Sequence, residues 1–197
     1  MKNIKLFDLK IKNNLKKKIV KSIENNINNS DFVRGKNIKI FEERFKKKIE
    51  SKYCISCNSG TDALFLILKS LDIKKGDEII TTCHSWVSTS ETIVNVGAKP
   101  VFVDAGQDFN INPKLIEKKI TRKTKAILIV HLYGLPCNMD QIIKLCKKKN
   151  LKLVEDCAQA HFSKYKNKYV GNFGIASAFS FFPTKNLGSF GDAGCVI

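Results

Sequence analysis

A three-layer α-β-α fold around a mostly parallel sheet is the architecture that this sequence predicts. Short apolar runs alternate with segments of helical periodicity along the chain, the pattern of repeated β-α-β units with helices on both faces of the sheet. The 197 residues, 43% of them hydrophobic, are enough for one domain with a substantial core. No internal repeat or low-complexity linker divides the chain.

The elements follow in order. Residues 13–29 and 38–52 are Lys-rich with helical spacing, and 53–57 reads as a short strand. Residues 62–71 (DALFLILKSL) form a compact apolar helix, and 77–82 a strand closed by Thr-Thr-Cys-His. A helix over 88–96 is stopped by Gly97, and a strand follows over 100–104. The helix expected over 113–120 has Pro113 at its start, where a missing N–H costs nothing. The rest reads as strand 125–131, helix 139–149, and strands 151–155, 175–181 and 194–197. The expected organisation is an N-terminal helical segment over 1–30 and one large domain over 31–197.

The formal net charge is +17. Nearly all the basic residues are Lys, spread along helical faces rather than gathered with aromatics, while Arg, the better reader of phosphates and base edges, is scarce. A general Lys-, Asn- and Ile-rich compositional bias explains this pattern better than a nucleic-acid or membrane partner. No run of 18 or more apolar residues is present, so no membrane span is expected. Met1-Lys2-Asn3-Ile4-Lys5 opens no signal-peptide pattern, which gives a cytoplasmic expectation. The seven Cys include one Cys-x-x-C pair, Cys54 and Cys57, without a second; small buried thiols in a reducing compartment are expected, and no metal site.

In sheets of this kind ligands sit beyond the carboxyl ends of the strands. Lys185, Asp156, Trp86 and Ser59-Gly60-Thr61 all follow expected strands and so can converge on one edge. Lys185 lies in an aromatic, Gly-flanked loop, Phe181-Phe182-Pro183-Thr184-Lys185-Asn186-Leu187-Gly188, and can form a Schiff base with an aldehyde. Asp156 ends an apolar strand and can pair a ring nitrogen, although an Asp there also caps turns. Together they are the two groups that pyridoxal phosphate needs. Glu155 points to the opposite face of its strand and is set aside. Gly60 and Thr61 open a helix whose N-terminus can hold a phosphate, though the same residues make ordinary caps. Trp86 can stack on a flat ring or simply sit at the surface, and Ser180 can bond a phosphate or its own backbone. His84, His131 and His161 lack metal-ligand spacing and are read as structural or as supporting groups.

The order of Ser59-Gly60-Thr61-Asp62-Ala63-Leu64, Gly97-Ala98-Lys99-Pro100-Val101-Phe102-Val103-Asp104, His131-Leu132-Tyr133-Gly134, Glu155-Asp156-Cys157-Ala158-Gln159-Ala160-His161 and Phe182-Pro183-Thr184-Lys185-Asn186-Leu187-Gly188 resembles the DegT/StrS-type sugar aminotransferases, members of the fold-type I pyridoxal-phosphate superfamily. The resemblance runs from about Phe32 to Ile197. It implies that Lys185 is the Schiff-base lysine and proton shuttle, and that Asp156 pairs the pyridinium nitrogen. It also implies that Trp86 stacks on the ring, that Gln159 lies near the ring's phenolic oxygen, and that Gly60, Thr61 and Ser180 hold the phosphate. The implied activity is transfer of an amino group from glutamate to a nucleotide-linked keto-sugar, for lipopolysaccharide, other surface polysaccharides or antibiotic sugars. A sister group has His in place of this Lys and acts as a dehydratase, so Lys185 favours transamination. The stretch from Ser85 to Thr92 looks most like members acting on deoxy-sugar nucleotides. The resemblance implies a homodimer for the full-length form, and that 31–197 is the cofactor-binding large domain without its smaller C-terminal domain. The alternative expectation is a non-catalytic remnant, or half of a split enzyme that binds a partner chain.

Overall fold

The computed structural model describes residues 9–197, so the first part of the expected 1–30 segment lies outside the described residues. The chain runs α1 (Asn13–Asn28), α2 (Lys36–Lys48), β1 (Ile55–Cys57), α3 (Gly60–Ser70), β2 (Glu78–Thr82), α4 (Ser88–Asn95), β3 (Lys99–Val103), α5 (Pro113–Ile116), β4 (Thr124–Val130), α6 (Met139–Lys149), β5 (Lys152–Asp156), β6 (Lys164–Tyr165), β7 (Lys168–Tyr169), β8 (Ala176–Ser180) and β9 (Gly194–Val196). Seven strands form one sheet in the order β1-β9-β8-β5-β4-β2-β3. The neighbours from β3 through β2, β4 and β5 to β8 are all parallel; β9 runs antiparallel to both β8 and β1.

Strand alternation divides the core between two faces. Ala126, Leu128 and Val130 of β4 pack on one face with Ala63, Leu64, Ile67 and Leu68 of α3 and Ile93 of α4. Ile127 and Ile129 pack on the other with Ile116 of α5 and Met139, Ile142, Leu145 and Cys146 of α6. Phe45 and Ile49 extend this second layer over Phe179, Phe181 and Cys195. Strands buried on both faces read as near-continuous apolar runs, which is why β4 is Thr-Lys-Ala-Ile-Leu-Ile-Val with only Lys125 exposed. Ser59 caps α3, its Oγ accepting from the Asp62 amide at 3.0 Å. Asn138 caps α6 in the same way, and Asn150 ends that helix in the left-handed region at φ 52°.

Three local expectations are corrected. The helix expected over 113–120 stops at Ile116 and tightens into a 3-10 turn over Glu117–Lys119. Between β5 and β8, where the sequence reading places no element, the chain makes the two-stranded hairpin β6–β7, with Lys166 at φ 55° in its turn. Among the thiols, Cys83 is exposed and Cys57 half-buried, while Cys54, Cys137, Cys146, Cys157 and Cys195 are buried and all seven are free. Cys83 stands just beyond the end of β2, where the sheet no longer covers it. Helix α1 buries none of its side chains; Leu15, Val20, Ile23 and Ile27 are exposed along it. No helix among the described residues is long and apolar enough to cross a membrane.

Candidate functional site

The carboxyl ends of β2, β4, β5 and β8 lie along one edge of the sheet, and β1 delivers the start of α3 to the same edge. Asp156 is the last residue of β5 and is buried. Its Oδ1 accepts from the Ala158 amide at 3.1 Å, and its Oδ2 from the Thr89 hydroxyl at 3.0 Å. The Thr89 hydroxyl is in turn 2.8 Å from the Ser85 hydroxyl. Burial pushes the Asp156 carboxyl above its ordinary value, against the Ala158 amide, the Thr89 hydroxyl and the Lys185 charge, which pull it down. Lys185 is half-buried in the loop after β8. Burial lowers its ammonium pKa while the Asp156 carboxylate opposes the shift. The two groups therefore feel one another across the strand ends, and each leans towards its neutral form.

At the start of α3 the Gly60 and Thr61 amides precede the first helical hydrogen bond and have no acceptor among the described residues. Gly60 is there because a side chain has no room: a Cβ would stand 2.6 Å from Ser180 Cβ. Gly194 of β9 closes the same spot, since a Cβ there would meet the Ser59 carbonyl carbon at 2.3 Å. The Thr61 hydroxyl donates to the Ser88 hydroxyl at 2.8 Å, which joins the first turns of α3 and α4. The Ser180 hydroxyl accepts from the Phe182 amide at 3.4 Å. Gln159 is held through its carbonyl oxygen, which accepts from the Tyr133 amide at 2.7 Å, and its NH2 group has no partner among the described residues. Trp86 stands in the loop between β2 and α4 with 74% of its surface exposed.

Glu155 faces the other way, as its strand position requires. Its Oε2 takes His131 Nε2–H at 3.1 Å and the Gly171 amide at 2.8 Å, while Oε1 takes the amides of Phe173 (2.7 Å) and Gly174 (2.6 Å). His131 Nδ1 accepts from the Cys137 amide at 3.1 Å, which fixes the tautomer with the proton on Nε2. His131, Glu155 and Cys157 present donor atoms within 4.8 Å of one another, but the carboxylate and both ring nitrogens are already committed to protein partners. The cluster is a satisfied buried network that folds the 171–174 loop under β5.

The match to known families agrees with this geometry. Residues 13–197 match the DegT/DnrJ/EryC1/StrS aminotransferase family. The chain belongs to that family. It is 40% identical over 99% of its length to a "Pleiotropic regulatory protein" of Geobacillus stearothermophilus, and 44% identical over 83% of its length to the GDP-perosamine synthase of Escherichia coli O157:H7. It spans about half of each relative, 53% and 45% respectively. Among solved structures, NtdA of Bacillus subtilis with bound pyridoxamine phosphate overlays the whole chain at a TM-score of 0.93 with 30% identity; the chain covers 45% of it.

The NtdA structure holds the pyridoxamine form of the pyridoxal phosphate cofactor. The residues present fit it. A buried Asp156 stays lifted above its ordinary pKa because the Lys185 charge does not offset burial, and a protonated ring nitrogen beside it supplies the further positive charge. Unpaired amides at a helix N-terminus, where Gly60 keeps the approach open, suit its phosphate. Thr89 is the supporting residue that the sequence reading missed. It sits four residues after Ser85 and in the first turn of α4, a spacing that could have marked it as facing the same edge.

Proposed function

We propose that this chain is the cofactor-binding large domain of a sugar aminotransferase that moves an amino group from glutamate to a nucleotide-linked keto-sugar. The observation that carries the reading is the mutual influence of half-buried Lys185 and buried Asp156 at the strand ends, beside the unpaired amides of α3. The GDP-perosamine synthase relative supports a nucleotide sugar as the substrate class. We place the whole protein in the cytoplasm as a homodimer serving lipopolysaccharide or another surface polysaccharide, without a nucleic-acid or membrane partner.

Each residue has a role in this reading. Gly60 and Thr61 offer amides, and Thr61 and Ser180 hydroxyls, to the phosphate. Trp86 lays its exposed indole over one face of the ring. Gln159, with its carbonyl oxygen fixed by the Tyr133 amide, has its NH2 free for the phenolic oxygen. Asp156 keeps a proton on the ring nitrogen; its own oxygens are fixed by Thr89 and Ala158 and each retains a free lone pair. Bound there, pyridoxal phosphate supplies an aldehyde that accepts the amino group and a ring that spreads the charge of the deprotonated substrate carbon. Lys185 would supply the amine that anchors the aldehyde, and its Nζ would hold and return a proton. Burial favours this second task because it raises the share of neutral amine at working pH.

The test is direct. Protein mixed with pyridoxal phosphate should develop a bound-cofactor absorbance band that glutamate bleaches, and borohydride should trap the cofactor on Lys185. A band that persists in Lys185→Ala would sink the assignment of that residue. No band at all would favour the non-catalytic remnant.

A further inference from the structure

We propose that His161 is a positioning residue for Lys185: it ties the Lys185 loop to the segment that carries Asp156 and so sets the amine relative to the carboxylate. This rests on the reading of Lys185 just given. His161 is 5% exposed and packed among the rings of Phe45, Phe179 and Phe181, with centroids 6.4, 5.5 and 5.2 Å away. Its Nδ1 is 2.7 Å from the Asn186 side-chain oxygen, and Asn186 is the residue after Lys185. Phe179 and Phe181 flank Ser180, so one imidazole grips both ends of the 180–186 segment.

The rest of that loop has little to hold it. Phe182, Leu187 and Phe190 are 46%, 39% and 71% exposed. Its other hydrogen bonds are internal or close to the strand ends: Lys185 N to Phe182 O at 2.8 Å, and Ser189 N and Oγ to Phe181 O, both at 2.7 Å. Among the described residues, His161 to Asn186 is the one hydrogen bond that joins 182–190 to a residue outside 180–193. His161 and Asp156 leave β5 on the same short segment, whose first turn is fixed by the Ala158 amide on Asp156 and the Ala160 amide on the Cys157 carbonyl. The bond therefore spans the two groups whose separation matters. Burial keeps the imidazole neutral, and the nearby Lys185 charge works in the same direction.

Two variants separate the brace from simple packing. His161→Phe keeps the aromatic cluster and removes the polar link; Asn186→Ala removes the other partner at an exposed position. In the cofactor-free chain, amide hydrogen exchange over 182–190 should quicken about tenfold in both, with β8 unchanged. In the loaded chain, affinity for pyridoxal phosphate, which uses the Lys185 amine, should fall about tenfold, while pyridoxamine phosphate, which carries no aldehyde, binds within about twofold of wild type. Asn186→Asp, which preserves an oxygen acceptor, should recover most of the loss. Unchanged exchange in both variants overturns the proposal. So does an equal fall for both cofactor forms together with a lower melting temperature, because His161 would then be core and nothing more. If the wild type traps no cofactor on Lys185, the functional reading fails instead, and the exchange result decides the brace alone.

Discussion

Replacing Gly60 with alanine puts a methyl carbon where Ser180 already stands. The new Cβ would lie 2.6 Å from Ser180 Cβ, 3.2 Å from Ser180 Cα and 3.3 Å from Ser180 Oγ. Carbon pairs settle at about 3.5–4.0 Å, so α3 has to withdraw from β8 by roughly 1 Å. It cannot slide freely, since Gly194 is pressed against Ser59 on the same side. Overpacking of this kind costs about 1–3 kcal/mol. Alanine's smaller loss of backbone freedom returns about 0.5–1 kcal/mol, because Gly60 is helical and has no positive φ that only glycine adopts readily. The net loss centres on about 1 kcal/mol, within about 0–2.5 kcal/mol, or a melting temperature lower by about 2–4 °C for a chain of this size. The same withdrawal carries the Gly60 and Thr61 amides away from Ser180 and should weaken cofactor binding about tenfold or more. Thermal unfolding and a pyridoxal phosphate titration read both effects. Adding Ser180→Gly to the variant removes the nearest clash and should restore at least half of the lost melting temperature. A Gly60→Ala protein as stable as wild type with the same cofactor affinity would refute the steric argument, as would a double variant no more stable than Gly60→Ala alone.

Three other outcomes are expected. Thr89→Val deletes the 3.0 Å hydroxyl donor to Asp156 and should raise that carboxyl further, seen by carbon NMR titration; an unmoved titration would show that Thr89 does not hold the charge. Burial pushes Glu155 up, but His131 and the Gly174 and Gly171 amides outweigh it and hold the carboxyl below its ordinary 4.5. Its stabilisation is therefore present above about pH 4.5 and lost as pH falls through the lower folded value. Glu155→Gln should cost about 1–3 kcal/mol at pH 7, because the amide NH2 faces backbone N–H donors, and flatten this acid limb in urea unfolding at pH 7 and 4; an unchanged limb would assign the acid sensitivity elsewhere. Trp86→Ala should leave stability within about 0.5 kcal/mol, because the residue is 74% exposed, yet lower pyridoxal phosphate affinity about 2–10-fold; equal affinity would remove the stacking role.

The parallel sheet was legible because its strands carry the composition of double burial, and Asp156 because it closes such a strand. Gly60 was legible as the opening of an apolar helix, but the reason for a glycine there lies in Ser180, far along the chain, which no local pattern encodes. The same limit hid the partners of Thr89 and His161. Each acts through a hydrogen bond to a residue brought near only by the sheet order, Thr89 from the first turn of α4 to the end of β5 and His161 from the segment after β5 to the loop after β8. The 164–169 hairpin went unseen because strands of two residues have no periodicity to read.

Glu155 and Asp156 show how one strand end can separate structural from chemical work. They are neighbours, both buried and both carboxylates, yet their pKa values move in opposite directions. Alternation sends Glu155 into a nest of three backbone amides and a histidine N–H, enough donors to outweigh burial and keep it charged. Asp156 receives one amide and one hydroxyl, too few to outweigh the same burial. A carboxylate so under-served is poised for a cation, and the edge it faces is where Lys185 and the α3 amides stand. The fold spends its donors on the residue that must hold the 171–174 loop and withholds them from the one that must respond to a ligand. Exchanging the two environments, not the two residues, would be needed to exchange their roles.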